Sequence, residues 1–360
     1  MDGQYYNAFN LIPGTGPVKF KKLLAFFGNI EKAWHANTNE LTRSGLPQEW
    51  IQKFLDNKQR INPTDEYKKL LKKNIKAITI SDNNYPARLK QIYDPPHVLY
   101  VKGKIIPEDE FAIGIVGSRK ISIYGQQVTP DLSVGLSSEG LTIVSGLARG
   151  IDTLAHQSTL EAGGRTIAVI GSGLDRQNIY PPQNQKLAEK IATNGAVVSE
   201  FPIGTKAMPY HFPLRNRIIS GLSLGVLLIE AEEKSGALIT AEHALAQNRE
   251  VFAVPGSIYW PTSAGTNKLI KRGAKLVQNT YDIMEELNLQ TIPKAKEPKI
   301  IFGASAEENV ILNCLCKEPT HIDKIIKMAK LEASVVNAIL LEMELKGRIK
   351  NLGGLNYIKK

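Results

Sequence analysis

The tightest constraint on the fold is a repeating unit in the middle of the chain. Short runs rich in Ile, Val and Ala recur with helical segments between them. They are Ala112–Val116, Leu141–Val144, Thr166–Ile170, Ala196–Ser199, Gly225–Ile229, Val251–Val254 and Lys275–Val277. Their spacing, about 25 to 30 residues, is what a strand–helix–strand unit requires. Most runs are apolar without alternation, as in strands covered on both faces. They predict an α/β fold around a doubly wound, mainly parallel, Rossmann-like sheet. The preceding stretch, Ile78 to Lys102, carries Tyr85-Pro86 and Asp94-Pro95-Pro96. It reads as an irregular lead-in with an extra strand at Val98–Val101.

Ligands of such a sheet bind at the carboxyl ends of its strands. Three segments there combine small residues with cations: Ile115–Arg119, Val144–Asp152 and Phe212–Arg217. Gly117-Ser118-Arg119 can form an anion nest capped by a guanidinium. Ser145-Gly146, with Arg149 and Gly150, can do the same on the next loop, with Asp152 as helix N-cap. The plain alternative for each glycine is a tight strand-to-helix turn, which this fold needs anyway. In Met208–Ile219, Phe212 lies beside Arg215, Asn216 and Arg217. A ring flanked by cations suits single-stranded nucleic acid, whose bases stack while its phosphates are held. The alternative is a helix start with one arginine in an internal ion pair. Ser235-Gly236 repeats the strand–turn–helix theme and adds backbone amides to the same edge.

Other chemistries fail on spacing. A nicotinamide fingerprint needs G-x-G-x-x-G after the first strand and an acid after the second; neither is present. No G-x-x-x-x-G-K-[ST] occurs, so a P-loop is excluded. Ser145, Asp152 and His156 lack a nucleophile elbow, and an Asp152–His156 structural pair is the better reading. No cofactor or metal is expected. Cys314 and Cys316 are two apart, on different faces of a helix, so neither a disulfide nor a metal pair is expected. The first residues lack a signal peptide and no apolar run reaches the roughly 18 residues of a membrane span. A reduced, cytoplasmic protein without membrane insertion is the consistent expectation. The formal net charge of +10 favours polyanionic partners.

The flanks read as separate pieces. Residues 1–73 form short helices around Ile12–Pro17, a helix-hairpin-helix-like turn followed by Lys19, Lys21 and Lys22; a degenerate copy starts at Ser44-Gly45-Leu46-Pro47. Residues 74–289 form the Rossmann-like domain and 290–305 a charged, proline-containing linker. Residues 306–360 show three helical patterns and a hairpin, the order of a winged helix. Its recognition-helix candidate, Glu332–Lys346, carries three glutamates, which favours a protein-binding or structural role over a phosphate reader.

Between about Asp82 and Val277 the chain carries GSR and YG after the first strand, SGLARGID, AVIGSGLD, YPPQN, SEFP, FPLRNRIISGLS, EAEEKSGALITAEHAL, VFAVPGS and GTNKLI in fixed order. This series resembles the DNA-processing protein A family (DprA, also called Smf). The resemblance implies an extended Rossmann fold that binds single-stranded DNA without catalysing a reaction. It also implies a homodimer that protects incoming strands and helps load RecA recombinase during natural transformation. On matching positions, Arg119 would grip phosphate, Ser118 and Gly146 would line the pocket, and Phe212 would stack on or pack beside a base. Arg215, Asn216 and Arg217 would complete a basic mouth. Some relatives carry a lysine where this chain has Pro209, and Lys206 would substitute from upstream. The dimer surface is implied near Asn267 to Arg272. The rival expectation is an enzyme of small nucleotides using Asp152, Glu200 or Glu230 as acid or base. A third is a protein-docking adaptor acting through the winged helix.

Overall fold

The computed structural model describes residues 3–289, 306–315, 319–346 and 348–359. The expected linker, Cys316 and Gly347 lie outside them. Contacts divide the chain into two compact units, Met1–Glu297 and Pro298–Lys360.

The first unit opens with helices Gly3–Asn10, Pro17–Phe27, Ile30–His35, Thr38–Arg43, Gln48–Lys58 and Pro63–Lys72. Local chemistry sets their ends. Prolines at 17 and 63 occupy the first helical position, where a missing N–H costs nothing. The Asn37 side chain accepts from the Glu40 amide at 3.0 Å, and Glu40 accepts from the Asn37 amide at 2.9 Å. This reciprocal cap satisfies two amides that the helix leaves orphaned. Aromatic rings fill the centre: Phe9 stacks on Phe54 with ring centroids 5.1 Å apart, and Trp34 meets Phe9 edge-on at 5.1 Å. The lysines after the first turn are engaged locally. Lys19 and Lys22 donate to the carbonyls of Gly14 and Gly45, and Lys21 to that of Tyr93.

The sheet has nine strands: β1 Ile75–Thr79, β2 Val98–Gly103, β3 Ala112–Val116, β4 Thr142–Ser145, β5 Thr166–Val169, β6 Ala196–Ser199, β7 Gly225–Leu228, β8 Glu250–Ala253 and β9 Lys275–Leu276. Their order is β1-β2-β6-β5-β4-β3-β7-β8-β9. From β6 to β9 every pairing is parallel, while β1–β2 and β2–β6 are antiparallel. The lead-in thus holds one strand more than its sequence suggests. In β1 the pattern is Ile-Lys-Ala-Ile-Thr, with Lys76 exposed on the outermost strand. A lysine on an edge is a common guard against stray pairing, and it hides the strand from an apolar-run search.

Two cores lie on opposite faces of the strands. Val116, Val226 and Leu228 pack with Leu89, Ile92, Ile218 and Ala241 on one face. Ile113, Ile115 and Leu227 pack with Leu132, Ile151 and Ile283 on the other. A third core joins the N-terminal helices to Tyr100, Ala168 and Val197 of the sheet. Strand order reverses between β3 and β7. At such a point the flanking loops diverge to opposite faces and leave a crevice above the carboxyl ends.

The second unit holds helices Ala306–Cys314, Ile322–Ala329 and Ala333–Leu345 and strands β10 Thr320–His321, β11 Ile349–Asn351 and β12 Asn356–Lys359. The strands pair antiparallel in the order β10-β12-β11. Ile311, Ile325, Val336, Leu340 and Met343 form its core. Glu308, 3% exposed, pairs with Lys346 and Arg348.

Candidate nucleic-acid interface

A cleft of about 600 Å³ opens at the reversal point. The loop after β3 supplies Gly117, Ser118, Arg119 and Lys120, and the loop after β4 supplies Ala148 and Asp152. The helix His211–Leu222 adds Phe212, Arg215 and Asn216. The segment after β7 contributes Glu232, Ser235 and Gly236, and Tyr180 closes one side. Gly117, Ser118, Arg119, Phe212, Arg215, Asn216, Ser235 and Gly236 are thereby brought together from three separate segments.

The loop that carries Arg119 is pinned from both sides. Ser118 donates its amide to the carbonyl of Glu230 at 2.9 Å, and its own carbonyl accepts from the Ile151 amide at 3.1 Å. The Glu230 carboxylate accepts from the amide and hydroxyl of Ser122 at 2.9 and 2.6 Å. Ser122 in turn caps the helix Ile123–Ser138. Gly150 has φ +79°, and a Cβ there would lie 2.2 Å from the Ser118 carbonyl. Only glycine lets the two loops approach so closely.

This frame presents Arg119 to solvent. Its guanidinium carbon lies 5.4 Å from the centroid of the Phe212 ring, and it has no hydrogen bond or ion pair with the described residues. The Phe212 ring also meets Tyr180, centroids 5.8 Å apart and planes tilted by 44°. An unpaired guanidinium on one ring beside a second ring offers a phosphate clamp next to a stacking surface. Asn216 donates weakly to the Gly236 carbonyl at 3.4 Å and accepts from Arg215 Nε at 3.2 Å. It ties the helix to the last loop.

Several expected residues do other work. Arg217 is 4% exposed. Its guanidinium forks onto Glu200 at 2.7 and 3.0 Å and reaches Asp94 at 2.9 Å. The donors are consumed internally, which corrects the reading of Arg217 as part of a basic mouth. Arg215 borders the cleft but is also 4% exposed. It donates to the carbonyls of Gly146 and Val169, and burial pushes its pKa down to about 10. Gly146 serves that arginine and not a phosphate, since a Cβ would lie 2.4 Å from Arg215 Nη1. Ser145 is fully buried and donates to the Ile115 carbonyl at 2.6 Å. Arg149 and Lys206 are exposed but do not line the cleft.

The expected Asp152–His156 pair is absent. Asp152 accepts from the Gly146 and Ala148 amides at 3.1 and 3.3 Å. His156 lies against Thr166 at 2.7 Å. Burial raises the Asp152 carboxyl, opposed by the charge of Arg215. Lys120, Tyr180 and Glu232 were missed as lining residues. Lys120 follows Arg119 directly, and adjacency to the turn was its available signal. Tyr180 comes from the long loop after β5, well beyond the strand end, so no strand-to-helix turn announces it.

Two family models match the chain: DNA recombination-mediator protein A over residues 76–288 and the DprA winged helix domain over residues 294–354. Protein Smf of Synechocystis is 36% identical over 390 aligned positions, covering 98% of each chain. DNA processing protein DprA of Bacillus subtilis is 50% identical over 214 positions, which is 59% of this chain and 71% of the relative. The crystal structure of DprA from Streptococcus pneumoniae is 35% identical, with a TM-score of 0.69 over 79% of this chain and 98% of that one. DNA processing protein A of Helicobacter pylori, whose structure concerns its single-stranded DNA binding mode, is 30% identical. Its TM-score is 0.54, over 61% of this chain and 97% of that one. With more than half of its length matched by the first family model, the chain belongs to the DNA recombination-mediator protein A family.

Proposed function

We infer that the protein binds single-stranded DNA in the switch-point cleft and acts by binding, not by catalysis. One observation carries this reading: Arg119 is exposed, unpaired and held over the Phe212 ring. The three carboxylates expected to serve a nucleotide enzyme are otherwise employed. Asp152 holds loop amides, Glu200 holds Arg217, and Glu230 holds Ser122. The relatives' names point to DNA, and the Helicobacter pylori structure to its single-stranded form. On this reading the protein is a cytoplasmic recombination mediator. It acts as a homodimer, protects incoming strands and hands them to RecA recombinase in natural transformation.

Titration of oligo-dT at several salt concentrations tests the ligand. With about five phosphates neutralised, log affinity falls against log salt with a slope of about −3 to −4. Arg119→Ala removes one charge-assisted contact of roughly 1.5–3 kcal/mol, a loss of about ten- to a hundredfold on every sequence. Its unfolding free energy in urea changes by less than about 1 kcal/mol, because the guanidinium makes no hydrogen bond or ion pair and its contact with the Phe212 ring is an exposed one. A salt-independent affinity, or equal stabilisation by mononucleotides, would move the assignment to the small-nucleotide enzyme. For the RecA step, the check is assembly of recombinase filaments on strands coated with a single-strand binding protein, with and without this chain.

A further inference from the structure

The loop after β8 shows an unusual combination of order and exposure. Ile258 and Tyr259 are 85% and 86% exposed and Trp260 is 48% exposed. Yet the backbone beneath them is fixed. Gly256 exchanges two hydrogen bonds with the Asn267 side chain, at 2.9 and 3.2 Å. The Trp260 amide donates to Ser257 at 3.1 Å, and its carbonyl accepts from Ser263 at 2.9 Å. The Trp260 ring leans on Tyr124 with centroids 5.9 Å apart, and the Tyr124 hydroxyl is anchored to the Pro255 carbonyl at 2.9 Å. Rings presented on a pre-ordered loop lose little entropy when something stacks on them. A contiguous exposed apolar patch on a soluble chain marks a contact surface.

The position of the loop says what that contact is. It leaves the carboxyl end of β8, the strand next to β7, on the same rim as the cleft. Adjacent strands lie roughly 4.8 Å apart. The connection is direct: Ala231, beside the cleft residue Glu232, donates its amide to the Thr262 carbonyl at 2.7 Å and accepts from the Gly265 amide at 2.8 Å. Lys120, on the cleft loop after β3, and Lys234, on the segment after β7 that contributes Glu232 to the cleft, are both exposed, and neither ammonium has a hydrogen bond or close ion pair among the described residues. We propose that Tyr259 and Trp260 form a stacking platform for the single strand where it leaves the cleft, with Lys120 and Lys234 holding the intervening phosphates. Rings for bases alternating with cations for the backbone form the pattern of single-strand tracks. Of the two acids beside Lys234, Glu233 is already paired with Lys268 at 2.7 Å. This proposal rests on the cleft being a single-strand site.

The chain has three tryptophans. Trp34 and Trp50 are 3% and 4% exposed, so iodide quenching of tryptophan fluorescence reports on Trp260. The experiment compares oligo-dT of about 4 nucleotides with oligo-dT of about 20, sizes that bracket the usual single-strand footprint. The longer strand shields Trp260 from iodide and the shorter one does not. Tyr259→Ala, a change at a side chain that packs on nothing, weakens the longer strand about tenfold, or about 1.4 kcal/mol. It leaves the shorter within twofold, and Tyr259→Phe restores wild-type binding. Binding of the longer strand with no change at Trp260 and no loss in Tyr259→Ala overturns the platform and leaves the cleft reading intact. Failure of both strands to bind wild-type protein overturns the cleft reading first. Shielding of Trp260 by rising protein concentration alone assigns the loop to a second copy, and the proposal falls.

Discussion

Replacing Arg217 by alanine is expected to destabilise the first unit by about 3–5 kcal/mol, because it strands the buried Glu200 carboxylate without its partner. Burial already pushes the Glu200 carboxyl above its ordinary range, against the pull of Arg217. Asp94, partly exposed, can return to water; Glu200, with a side chain 16% exposed, cannot. Urea unfolding measures the loss. Arg217→Lys recovers part of it at most, since an ammonium cannot fork onto two carboxylate oxygens. The folded fraction should bind oligo-dT within about twofold of wild type. A stability change under about 1 kcal/mol, or a large affinity loss in a fully folded variant, would return Arg217 to the ligand.

The second large effect is a loss of stability on mild acidification. Burial, with a contribution from Arg215, pushes His156 down to about 3. Burial, with a contribution from Lys21, pushes His97 down to about 4; its ring stacks on Phe20 at 5.0 Å. Both imidazoles are neutral in the folded chain at pH values where the unfolded chain has protonated them, near 6.5. The unfolded state therefore binds more protons between about 6.5 and 4, and stability falls as pH drops through that window. From pH 6.5 to 5 the two groups together cost about 3 kcal/mol. The raised carboxyls of Asp152 and Glu200 act in the opposite sense, since the folded state holds their protons more tightly. Comparing wild type with His97→Gln and His156→Gln isolates the imidazoles: each variant should lose about half of the slope. An identical pH profile in the double variant would show that neither histidine controls it.

The sheet was legible because its strands are buried on both faces, which writes them as unbroken Ile and Val runs. β1 was not, because this edge strand carries an exposed Lys76 that interrupts its apolar run. The cleft was half legible. Gly117-Ser118-Arg119 and Phe212 declare themselves through turn chemistry and a ring beside cations. Sequence cannot tell which arginine of Phe212–Arg217 faces outward, because that depends on what lies opposite. Arg217 meets Glu200 and Asp94, which are distant in sequence, and Arg215 meets two carbonyls from other strand ends. The Asp152–His156 spacing suggested a pair one helical turn apart. Free loop amides captured the aspartate instead.

The helix His211–Leu222 is at once a wall of the cleft and the keystone of its own unit. Its guanidiniums are mortar, whereas the gripping cation sits on a neighbouring loop. Natural variation therefore has unequal freedom here. Drift at Arg119 or Lys120 can retune how hard a strand is held at little cost to folding. Drift at 215 or 217 removes the molecule before any change in grip can be selected. A survey of cell survival across arginine variants would score both kinds as loss of function, and only the amount of intact protein recovered would tell them apart.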